Sequence, residues 1–459
     1  MKYFALLFSF ILLVSSLPVQ AHAQHAAGPE VYNTVNVVFG ERDEARKSLE
    51  WIVSNDRSDL AAHLITAMRY TQVPIREINE ALTKLTSETH RTWFDWMLWQ
   101  QRNPQIKPHE SILDMKSAVF YALDPSFSRF FRPGMEFDIR PEEIVWGGVR
   151  VDGIPALDNP DFVSVKKAKY LRDRDEVFGV EINGDARAYP LRIMGWHEMF
   201  NDVIGGVPVS LAYCTLCGAG ILFEGDYKGR EKFDVKEPFT FGSSGFLYQS
   251  NKLMYDRQTD SLWNQFTGQP VSGPLKGSGI TLNIRPVVIT SWKKWKSKHP
   301  DTKVLDLDTG FRRDYGSGVV YKEYFASSDL MFPALGDQSR TLKQKDQVFG
   351  MRLEGGAKAW SLSSFVGGKA VNDTVGHVDV VLIGDAATRT VRAYKRPKGT
   401  TFAADKNAKV TDQNGMRWTL TEDHLIALSG ERLERLPGHV SYWFAWAGYL
   451  GDESELFKE

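Results

Sequence analysis

Between about Gly40 and Phe131 the apolar residues recur at helical spacing: Leu60, Leu64 and Met68 every four residues, then Ile75, Ile78, Leu82 and Leu85 at three and four. Breaks at Asn55-Asp56, Val73-Pro74 and Asn103-Pro104 cut this stretch into short pieces, which predicts a small antiparallel helical array over residues 24–131. After Arg132-Pro133-Gly134 the period changes. Short runs rich in Val, Ile, Tyr and Phe (177–182, 207–213, 221–223, 378–383 and 390–394) alternate with Gly-containing turns and predict strands. Residues 292–298 and 442–449 keep a helical pattern. The predicted class is α+β: an N-terminal small helical array followed by a β-rich region built from two related, diverged units, 132–340 and 341–459.

The two units follow from self-similarity. Residues 175–189 align without gaps on 346–360, and the same offset of 171 pairs Leu191 with Leu362, Asn201-Asp202 with Asn372-Asp373, and Gly205 with Gly376. Trp292-x-x-Trp295 resembles Trp443-x-x-Trp446 at a shorter offset. Residues present in both copies, such as Gly179/Gly350, Gly184/Gly355 and Asn201/Asn372, read as requirements of a shared fold. Residues in one copy only are candidates for chemistry. His197 stands opposite Gly368, Cys214 opposite Asp385, and Cys217 opposite Thr388.

Composition narrows the partners. The 459 residues carry 56 Lys+Arg against 57 Asp+Glu, a net charge of -1 without a basic block, so nucleic acid is not an expected partner. Met1-Lys2, an apolar run over 3–17 and Ala21-His22-Ala23 read as a signal peptide over 1–23, placing the mature protein in the periplasm or outside the cell. No later run approaches the ~18 apolar residues of a membrane span, so no stable membrane insertion is expected after cleavage. In a scaffold reading of the chain, the helical array is the surface expected to engage a protein partner. Its tryptophans Trp93, Trp96 and Trp99 read as packing, and its histidines His63, His90 and His109 lack ligand-like pairing.

Candidate chemistry centres on the chain's two cysteines. Cys214-Thr-Leu-Cys217-Gly218 between two apolar runs has the setting of a metal knuckle, whose turn aims two thiolates at one point. His197 is the candidate third ligand, and Cys2His with an open position suits zinc or copper. Glu198, Met254, His299 or water stand as fourth ligands. Glu198 is the candidate catalytic, proton-transferring group, although neighbours on a strand face opposite sides. The alternative reading is a thiol–disulfide oxidoreductase using Cys214 and Cys217; a third is a non-catalytic binding scaffold. Tyr248, Asn251, Asp256 and Arg257 are candidate binding residues of a pocket wall, against a plainer reading as hairpins with an Asp–Arg pair. Gly242-Ser-Ser-Gly245 fits neither a phosphate loop nor a nucleophile elbow.

From about Ile139 to Trp446 the chain resembles the bacterial family catalogued as domain of unknown function 3179. The residues that carry the resemblance include 184–191, Trp196-His197-Glu198 with Asn201-Asp202, Tyr213-Cys-Thr-Leu-Cys-Gly218, Gly245-Phe-Leu-Tyr248, Leu253-Met-Tyr-Asp256, Ser261-Leu-Trp263 and His299-Pro-Asp-Thr302. The resemblance implies a domain extent and no activity.

Overall fold

The computed structural model describes residues 28–336 and 341–458. The expected signal peptide lies outside them. The chain forms two compact units, one ending at Glu143 and the other running from Ile144.

The first unit is helical: Pro29–Phe39, Arg42–Ser54, Ala61–Ala67, Ile75–Thr86, Trp93–Arg102 and Ile112–Leu123. Each follows from spacing and termini. In Ile75–Thr86 the buried residues Ile78, Ala81, Leu82 and Leu85 make one face, and the helix stops at Ser87, which takes a left-handed φ of 59°. Thr92 caps the next helix by accepting from the Asp95 N–H at 3.1 Å. Trp96 and Trp99 are buried edge to face at 5.6 Å. His63 shares a 3.0 Å hydrogen bond with Ser111, which also meets His109 at 2.8 Å.

The second unit is β-rich, with short helices at Trp292–Lys298 and Trp443–Leu450 where a helical pattern persisted. Strand pairing recurs at the sequence offset. Strands Glu176–Ile182 and Asp185–Pro190 form a hairpin with Phe178 opposite Tyr189, and Gln347–Leu353 and Gly356–Ser361 form one with Phe349 opposite Trp360. At mid-strand a Cβ on Gly179 would lie 2.3 Å from the Trp295 ring, and one on Gly350 2.1 Å from Trp446, so only glycine admits the indole. Asn201 exchanges two hydrogen bonds with the Phe241 backbone, and Asn372 does the same with Phe402. Asp202 accepts from the Tyr189 hydroxyl, and Asp373 from the Trp360 indole N–H. These shared residues hold shared geometry.

The two sets of strands do not pack apart. Phe178, Tyr189 and Leu211 of one and Phe349, Trp360 and Leu382 of the other belong to a single apolar core, so the described residues from Ile144 onward cohere as one body. Among the described residues no helix is long and apolar enough to cross a membrane.

Candidate functional site

Strand Val207–Cys214 pairs antiparallel with Ala219–Glu224, Cys214 facing Ala219, and the residues between make a tight turn. Gly218 closes it with φ 62°, with the Tyr442 ring 3.3 Å from where its Cβ would stand. Cys214 and Cys217 are joined in a disulfide, their Cα atoms 5.3 Å apart. Both are buried, at 2% and 0% exposure, and Cys217 Sγ lies 3.4 Å from the Ser250 carbonyl oxygen.

The equivalent turn between Val378–Asp385 and Thr390–Lys395 is closed differently. Asp385 accepts from the Ala387 N–H and the Thr388 hydroxyl, both at 3.1 Å, and Arg389 takes the left-handed angle, φ 53°. A carboxylate-to-hydroxyl hydrogen bond therefore closes this turn between the two positions that the cysteines occupy in the other.

Glu198 faces the cysteine turn. It ends the helix Leu191–His197 in a left-handed conformation, φ 57°, so strand alternation does not govern its direction. Its Oε1 accepts from the Thr215 hydroxyl at 2.6 Å, and its Oε2 meets Lys252 Nζ at 2.5 Å, with both partners of the ion pair buried. Burial, and the nearby Glu198 charge, raise the phenol pKa of Tyr321.

His197 faces elsewhere. Nδ1 lies 2.9 Å from the Pro155 carbonyl and must donate to it, which leaves Nε2 to accept from the Tyr315 hydroxyl at 2.5 Å. Burial lowers its pKa and favours that neutral tautomer. Met254 is in an apolar cluster with Trp263, and His299 lies against Trp295 between Glu181 and Glu422. Among the described residues no group of three or more His, Cys, Asp or Glu side chains is placed to hold a metal ion. The expected Cys2His set does not converge here: the sulfurs are bonded to each other, and both imidazole nitrogens are engaged.

The four expected pocket residues divide between the ends of one hairpin. Asn251 pairs with Tyr248 beside the turn at Gln249-Ser250, whereas Asp256 pairs with Phe241 at the far end, about 17 Å along the strand at ~3.3 Å per residue. Tyr248 is edge-on to Tyr449. The Asn251 side chain donates to the Gln249 carbonyl at 3.4 Å. Asp256 is buried, accepts from Trp263 Nε1 at 2.7 Å and braces the Thr259 turn. Arg257 pairs with Asp158 at 2.6 Å rather than with its neighbour Asp256. Only the Tyr248–Asn251 end approaches the cysteines.

Thr215, Lys252, Tyr321 and Tyr324 join the site unannounced by the sequence. Thr215 had a signal, since it lies inside the Cys-x-x-Cys turn. Lys252 carried a weaker one, a cation directly before the apolar run Leu253-Met254-Tyr255.

The molecule is thus a β-rich protein with a helical unit before it and a buried Cys-x-x-Cys disulfide set against an ion pair. The chain belongs to the family described as protein of unknown function (DUF3179), whose model matches residues 151–453. No curated protein and no solved structure matches it.

Proposed function

We propose that this is an exported thiol–disulfide redox protein whose reactive centre is Cys214–Cys217. Two thiols of an external reductant would reduce it: the first thiolate attacks one sulfur, the S–S bond breaks, and a mixed disulfide and a protein thiolate result. The second thiol then displaces the mixed disulfide, giving the protein dithiol and an oxidised reductant, with two protons passing from reductant to protein. Thr215, Glu198 and Lys252 form a hydrogen-bonded and charged neighbour within one residue of Cys214 by chain.

The supporting observation is the pair of equivalent turns. Asp385 and Thr388 close one by a hydrogen bond, so the turn itself does not require a covalent link, and the cysteines are left with chemistry as their distinguishing property.

The test is thiol titration of the folded protein in redox buffers of graded potential. Two thiols should appear and disappear reversibly, and Cys214→Ser should abolish the transition. Stoichiometric zinc or copper in freshly purified protein, lost in Cys214→Ser, would instead return the cysteines to a metal role.

A further inference from the structure

The sulfurs are buried, yet any exchange needs a thiolate to approach along the S–S axis. The segment from Thr309 to Ser327, whose one regular element is the short helix Lys322–Ala326, reaches the turn between the cysteines at Leu216. Its first half is pinned to the helix that ends at His197. Trp196 Nε1 donates to the Asp314 carbonyl at 2.8 Å, Tyr315 donates to His197, and Val320 packs on Gly195, where an added Cβ would come within 2.5 Å.

Its second half lies on the cysteine turn through few contacts. Tyr324, buried, donates from its hydroxyl to the Leu216 carbonyl at 2.7 Å. Lys345 ties the piece down by donating to the carbonyls of Tyr324 at 2.7 Å and Ser327 at 2.9 Å, with its ammonium 3.4 Å from the Tyr324 ring centroid. The outer side chains Lys322, Glu323, Phe325 and Ala326 are exposed. Between Val320 and the helix lies Tyr321 (φ 52°), a left-handed position suited to a change of backbone direction.

We propose that residues 321–327 are a hinged cover that must lift before the disulfide exchanges. Tyr324 and Lys345 determine how often a reductant reaches the sulfurs, while the half held by Trp196 and His197 stays in place. This rests on the redox reading. It follows from asymmetry: a handful of polar ties holds the cover, whereas strand pairing and a continuous core hold the turn beneath it, so the cover opens at lower free energy.

The experiment is the rate of reduction of the full-length folded protein by dithiothreitol. Tyr324→Phe removes one hydrogen bond, and Lys345→Ala removes the tie from above. Tyr324→Phe should accelerate reduction about five- to tenfold, the effect of losing one hydrogen bond from a pre-equilibrium opening, and Lys345→Ala, which loses two, by at least as much. Amide exchange should rise at Phe325 and Ser327 and stay unchanged in strand Val207–Cys214. Folded variants with the unmodified protein's rate would overturn the cover. A disulfide that no folded form surrenders, but that is reduced once urea unfolds the chain, would overturn the redox reading instead. If Tyr324→Phe does not fold, Lys345→Ala carries the same decision, because it leaves the packing on the cysteine turn intact.

Discussion

The Glu198 carboxylate and the Lys252 ammonium face each other at 2.5 Å with almost no water around either. Each charge is tolerable only because the other is present. Removing one partner of such a pair typically costs about 3–5 kcal/mol, whereas removing both is often close to neutral. We therefore expect Lys252→Met to lower the denaturation midpoint sharply and the double variant Lys252→Met/Glu198→Gln to recover most of the loss. Equal losses for single and double variants would show that the pair does not act as one unit. Thr215 belongs to the same group, and Thr215→Val leaves the ion pair in place while removing its hydrogen bond to Glu198, a smaller loss of about 1.5–3 kcal/mol. At this scale the sequence misleads in one instructive place. Strand alternation turned Glu198 away from its neighbour's site, but the helix end before it and its left-handed angle reset the direction, so Glu198 reaches the cysteine turn and His197 reaches Pro155 and Tyr315.

At the scale of elements, the two hairpins at the 171-residue offset make a matched experiment. Gly179 and Gly350 each admit an indole, from Trp295 and Trp446, against bare backbone. Alanine at either should force the ring or the strand aside, an overpacking cost of about 1–3 kcal/mol. We expect similar falls in thermal midpoint for Gly179→Ala and Gly350→Ala, and an unchanged midpoint for either would deny that the close approach is obligatory. The turns diverge where the hairpins agree. Replacing both cysteines with Asp and Thr, as at 385 and 388, should leave a folded β unit that has lost its redox transition, checked by circular dichroism and thiol titration. The hairpins were readable in advance because period-two patterning and turn glycines are local properties. The Tyr324 cover was not, since residues 309–327 carry no period and owe their place to ties from distant parts of the chain.

Across the whole molecule, buried imidazoles in both units set its response to acid. Burial holds His63 in the helical unit and His439 in the β unit down to about 3, against an ordinary value near 6.5. Since the unfolded chain binds these protons first, their contribution is complete above pH 6.5 and is lost as pH falls toward 3. Glu422 acts in the same direction: Arg392, Lys298 and Arg435 overcome its burial and hold its carboxyl well below the usual range, so acid removes that support too. Urea midpoints at pH 7, 5 and 4 should decline steadily, and a midpoint constant over that interval would contradict the assignment of neutral buried histidines.

Local pattern by itself determined the helical array, the change to strands after residue 134, the recurrence at one offset and the singular position of the cysteine pair, because spacing and turn chemistry act within a few residues. Only the tertiary structure decided that the two sets of strands share a core, that the sulfurs bond to each other, that Tyr324 reaches the turn between them, and that Lys252 rather than His197 pairs with Glu198 beside it. Those outcomes depend on which groups meet across 17 to 108 residues of chain, and there the direction of one helix end outweighs any periodicity.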